Sequence, residues 1–74
     1  MNKYRAVYFL GNNAVNENNP ITDNNLRRII KRTKKLAEEE RPSDDQSSFY
    51  ISNMFGTVLF IAKFDKNGKY ERIL

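Results

Sequence analysis

Leu26-Arg27-Arg28-Ile29-Ile30-Lys31-Arg32-Thr33-Lys34-Lys35-Leu36-Ala37 is the stretch on which the fold turns. At 100° per residue, Leu26, Ile29, Ile30, Thr33, Leu36 and Ala37 fall within an arc of about 120°, the width of a core-facing helical stripe. Arg27, Arg28, Lys31, Arg32, Lys34 and Lys35 occupy an arc of about 160° on the other side, and no acid lies between Leu26 and Ala37. Thr22 or Asp23 supplies a short side-chain oxygen to cap the first turn. The helix is predicted to run to about Glu40, because Arg41 precedes Pro42 and is pushed out of helical geometry.

On the N-terminal side, Tyr4 to Leu10 is aromatic and β-branched in part and ends at Gly11-Asn12-Asn13, the pattern of a strand followed by a loop. The loop continues through Asn16-Glu17-Asn18-Asn19-Pro20, polar enough to be mobile. On the C-terminal side, Ser43-Asp44-Asp45-Gln46-Ser47 is a polar connection. Three strands are predicted after it. Ser48 to Asn53 and Thr57 to Phe64 are joined around Met54-Phe55-Gly56, and Asp65-Lys66-Asn67-Gly68 turns tightly into Lys69 to Leu74.

The order β-α-β-β-β implies an α+β fold of two layers, one amphipathic helix packed on a small, mostly antiparallel sheet. The 74 residues form a single domain. Side chains alternate along a strand, so Val58, Phe60, Ala62 and Phe64 share one face while Leu59 and Ile61 share the other. In the first strand Ala6, Tyr8 and Leu10 oppose Val7 and Phe9. Both faces are apolar, and one helix covers one face. Whichever face the helix leaves open asks for a cover, either a homodimer or protein partner seated on residues from the set Leu59, Phe60, Ile61 and Tyr8, or the Asn-rich loop folded back over it. A chain this short has marginal stability, which also makes a homodimer reasonable.

Composition narrows the chemistry. With no Cys there are no disulfide staples, thiol nucleophiles or Cys zinc sites, and a cytoplasmic address is expected. The apolar run after Arg5 is too short for a signal-peptide core or a membrane span. With no His, the commonest neutral-pH base and metal ligand is missing too. The carboxylates sit in adjacent, equally wet positions such as Glu38-Glu39-Glu40 and Asp44-Asp45, a poor basis for an acid and base pair. Asp65-Lys66-Asn67-Gly68 lacks the alternating acids and terminal Glu of a calcium loop, and Gly11, Gly56 and Gly68 stand too far apart to cradle a phosphate. No enzyme, cofactor, metal or small-molecule substrate is expected.

The cationic helix face is what remains. Net charge is +4 and the isoelectric point about 9.6, a bias toward polyanions or acidic protein surfaces. A helix gains roughly 0.3 to 1 kcal/mol from acids near its N-terminus and cations near its C-terminus, yet here the cations come early and Glu38-Glu39-Glu40 last. Lys34 with Glu38 and Lys35 with Glu39 recover only about 0.2 to 0.5 kcal/mol each. A membrane-surface role is disfavoured, because the apolar stripe has no aromatic anchor and the sheet needs it. Tyr4, Tyr8, Tyr50 and Tyr70 are expected as half-buried strand tyrosines, since Gly56 to Ala62 does not match the signature of sheet-based RNA readers.

Two functions of different class follow. The first is a non-enzymatic nucleic-acid-binding module whose six helix cations meet phosphates. The second is an accessory protein, of the kind phages and mobile elements carry, that binds or inhibits a host protein through an apolar sheet face or edge strand. Ten Asn together with many Lys, Ile, Tyr and Phe are residues of A- and T-rich codons, which suits the second without discriminating against the first.

Overall fold

The structure is a computed structural model that describes residues 2–74. Its elements in chain order are β1 (Tyr4–Leu10), β2 (Asn13–Ala14), β3 (Ile21–Asp23), α1 (Leu26–Glu40), β4 (Ser47–Asn53), β5 (Val58–Phe64) and β6 (Tyr70–Arg72). All the strand pairings are antiparallel, in the order β2-β1-β4-β5-β6, with β3 also paired to β1 on the β2 side. One helix packs on one sheet, the α+β arrangement that the periodicity of α1 implies.

The core lies between α1 and one sheet face. Ile29, Thr33 and Ala37 recur every fourth residue and are fully buried against Ala6, Tyr8, Phe49, Ile51, Phe60, Ala62 and Phe64. Ala6, Ala37 and Ala62 are small enough to let the helix approach, and Phe49 and Phe60 stack at 5.7 Å between ring centres. Two buried hydroxyls are satisfied at once. Thr33 Oγ1 donates to the Ile29 carbonyl at 2.7 Å and Ser47 Oγ donates to the Ala37 carbonyl at 2.7 Å.

The helix cap is Asn25 rather than Thr22 or Asp23. Its Oδ1 accepts from the Arg28 backbone N–H at 3.0 Å. Thr22 and Asp23 are already committed to β3, in register with Arg5 and Tyr4. The helix ends at Arg41, whose guanidinium gathers the neighbouring loops. Its Nη1 lies within hydrogen-bond distance of the carbonyls of Pro42, Asp45 and Lys66, at 3.0, 2.8 and 3.1 Å. Both hairpins use one device. Asn53 Oδ1 accepts from the N–H groups of Phe55 and Thr57, and Asp65 Oδ1 from those of Asn67 and Lys69.

The Asn-rich loop is built into the sheet. Asn16 Oδ1 accepts from Tyr8 N–H at 3.0 Å and Asn16 Nδ2 donates to the Ala6 carbonyl at 3.1 Å, so one carboxamide pairs with β1 as a peptide group of a strand would. It fills the gap between β2 and β3, and Val15 N–H donates to the Tyr8 carbonyl at 2.9 Å. The loop also supplies cover. Val7, on the face away from the helix, is only 4% exposed, and Glu17 and Pro20 line a groove with Val7, Tyr50 and Val58. The second apolar face is therefore smaller than strand alternation alone implies.

A register shift between Ile51 and Ser52 corrects the reading of β5. Phe60, Ala62 and Phe64 face the helix, but Val58 lines the groove with Val7, Tyr50 and Ser52 on the opposite side. Leu59 turns to a different groove, with Tyr4, Asn53 and Phe55. One extra residue in a strand reverses the alternation beyond it.

Candidate nucleic-acid interface

The six helix cations do not form one uniform surface. Arg27, Lys31 and Lys35 are exposed, and of the three only Lys35 has an acid within ion-pair distance among the described residues, Glu39 at 3.9 Å. Lys34 is half-buried with its ammonium 4.1 Å from the centre of the Tyr70 ring, a cation–π contact that holds it toward β6.

Arg28 and Arg32 converge on Asp23. Arg28 Nε donates to Asp23 Oδ2 at 2.7 Å and its Nη2 to Asp23 Oδ1, a bidentate pair. Arg32 Nη1 donates more weakly to Oδ2 at 3.4 Å. Asp23 Oδ1 also accepts the Asn25 N–H at 3.0 Å, so this β3 residue is the acid that the first helical turn itself lacks. Both arginine side chains remain more than half exposed, and neither Arg28 Nη1 nor Arg32 Nη2 has a hydrogen-bond partner among the described residues.

The hydrogen bonds from Arg28 hold the Asp23 carboxyl well below the usual carboxylate range, with smaller help from the Asn25 amide and Arg32, against the opposing effect of burial. Asp65 is shifted the same way, chiefly by the Lys69 amide. A carboxyl whose pKa is lowered in the folded state adds stability above its unfolded pKa of about 3.9, and that stability is lost as pH falls toward the folded value. The thermal midpoint is expected to hold from neutral pH to about pH 5 and to fall below about pH 4. Circular dichroism melts of the native chain and of Asp23→Asn check this. An acid limb equally steep in both would show that Asp23 is not its source.

The residues expected at a protein interface separate in the same way. Tyr8 is 7% exposed, on the helix-facing side, and its hydroxyl donates to Glu40 Oε1 at 3.0 Å. Burial first, and then Glu40, raises its pKa. Phe60 is 6% exposed and stacked on Phe49. Both belong to the core and offer no docking surface, because the face they share is the one α1 covers. Ile61 is half-buried on the other face and Leu59 is exposed.

Around the start of α1, Asn2, Lys3, Thr22, Asn24, Arg28 and Arg32 surround Asp23 in an open groove. A second groove is lined by Asn2, Lys3, Tyr4, Asn53, Met54, Phe55 and Leu59. Lys3 and Phe55 did not stand out in the sequence. The only signal for Phe55 was its position in a glycine-containing hairpin turn, where a side chain has no sheet face to join. Among the described residues no three acidic side chains converge as a metal site, and no helix is long and apolar enough to cross a membrane. Comparison with family models, with curated proteins and with solved structures finds no match.

Proposed function

We propose that the chain is a non-enzymatic nucleic-acid-binding module that docks phosphates on the solvent face of α1. The observation that carries this reading is the row Arg27, Lys31 and Lys35. These cations are spaced one helical turn apart on the side opposite the buried stripe, flanked by the arginine pair that Asp23 holds in place. Arginines held by a carboxylate lose little conformational entropy when they meet a phosphate, and both side chains remain more than half exposed. The net charge of +4 draws a polyanion toward this face.

The test is a fluorescence anisotropy titration of labelled oligonucleotide against the full chain at several salt concentrations. Each neutralised phosphate contributes a slope of about 0.9 in log K against log salt on duplex and about 0.7 on single strands. Three contacts therefore lead to an expected slope of roughly 2 to 3 in magnitude. No binding at the lowest salt, or binding indifferent to salt, overturns the proposal.

A second reading, an accessory protein that binds a host protein, is favoured by the β5 margin, where Val58, Leu59, Ile73 and Leu74 are exposed. It leads to a pull-down that survives nuclease and higher salt.

A further inference from the structure

We infer that the nucleic acid is taken single-stranded at one end of the molecule, with a phosphate held by Lys3, Arg28 and Arg32 and a neighbouring base stacked on Phe55. This deepens the nucleic-acid reading and rests on it. Asp23, Tyr4 and Asn53 stand side by side on β3, β1 and β4. Neighbouring strands lie about 4.8 Å apart, so the arginine cluster at Asp23 and the hairpin that starts at Asn53 are separated by roughly 10 Å. The grooves at these two places share Asn2 and Lys3 in their walls. A strand running from one to the other meets cations first and an aromatic ring next.

Phe55 is the most exposed of the large apolar side chains, at 93%. The backbone beneath it is fixed. Asn53 Oδ1 accepts from Phe55 N–H at 2.9 Å and Thr57 N–H at 3.0 Å, the Asn53 carbonyl accepts from Gly56 N–H at 3.2 Å, and Gly56 takes the positive φ of 85° that closes the turn. An aromatic ring carried into water on a hydrogen-bonded turn is a stacking platform, and every base has a face to offer it. Lys3, Arg28 and Arg32 around the single carboxylate Asp23 make this end cationic, which suits a phosphodiester strand and disfavours a purely apolar peptide. A duplex keeps its bases stacked on one another, so only an unpaired strand uses Phe55.

The experiment compares the native chain, Phe55→Ala and Phe55→Trp by anisotropy, using labelled oligo-dT, oligo-rU and a mixed-sequence duplex, with circular dichroism melts as the folding control. Phe55→Ala is expected to weaken single-strand binding roughly tenfold, to leave duplex binding unchanged, and to melt like the native chain; Phe55→Trp is expected to restore it. A preference between oligo-dT and oligo-rU assigns the sugar and supports the inference. Equal single-strand affinity for native and Phe55→Ala, or an equal loss on single strand and duplex, overturns it while the helix-face proposal stands. Absence of nucleic-acid binding by the native chain, with a protein captured through Phe55 instead, overturns both.

Discussion

Arg27→Glu, Lys31→Glu and Lys35→Glu together are expected to weaken oligonucleotide binding on the order of 100-fold at moderate salt, with the salt slope collapsing, while the fold persists. The three side chains are exposed and lie on one row of α1. In the native chain that row is already like-charged at i, i+4 spacing, so reversing every sign preserves the repulsion within it. The new clash is Lys35→Glu against Glu39, which costs about 0.2 to 0.5 kcal/mol. Arg28 and Arg32 are the wrong residues for this experiment. Reversing them sets two new carboxylates beside Asp23 and strips its ion pairs, so lost binding and lost structure become confounded. Anisotropy at several salt concentrations reads the outcome, and unchanged affinity with an unchanged slope refutes the helix face as the binding surface.

Phe49→Ala is expected to remove a large share of the folding stability. Phe49 is 1% exposed at the centre of β4, paired with Tyr8 on one side and Ala62 on the other, and stacked on Phe60. Emptying such a site costs about 3 to 5 kcal/mol in lost transfer energy and residual cavity. A chain of this length has a total stability of about 4 to 11 kcal/mol at 0.05 to 0.15 kcal/mol per residue. Urea titration followed by circular dichroism is expected to show the midpoint lowered by at least about a quarter of the native value, up to loss of any cooperative transition at 25 °C. A shift comparable with that of the exposed Phe55→Ala would show that the core does not rest on β4.

The helix was legible because its signal is local. Leu26, Ile29, Ile30, Thr33, Leu36 and Ala37 declare their face through spacing alone, and of these the structure buries Ile29, Thr33 and Ala37 completely. β1, β4, β5 and β6 are legible for the same reason, as are the turns at Gly56 and Gly68, whereas β2 and β3, of two and three residues, are too short to show a period and read as loop and helix cap. Alternation divides a strand into two faces but carries no label for the one that meets the helix. From sequence Phe60 and Tyr8 therefore read as candidates for a free surface, although they lie in the core. The shift between Ile51 and Ser52 left no local mark, so Val58 was grouped with Phe60.

Of the candidate interface, the cations were visible and their inequality was not. Asp23 is five residues before Arg28 and nine before Arg32, and only the crossing of β3 onto β1 brings it beneath both. Lys34 differs from Lys35 because Tyr70, far along the chain, comes to lie under its ammonium. Asn16 is the plainest case. A carboxamide in an Asn-rich loop resembles its neighbours until the two backbone groups it serves on β1 are in place.

That carboxamide also closes an edge of the sheet. A bare β1 margin would invite the same strand of another molecule, and a sheet open at both ends propagates into filaments. With Asn16 occupying the middle of that margin and strands of two and three residues at either end, no continuous template is left there. On the other side the sheet ends in β6, itself only three residues long, so among the described residues neither margin offers a long template for strand addition. Short edges of this kind disfavour the edge-to-edge pairing that builds fibres, and along β1 a single side chain closes the stretch that the two short strands leave open.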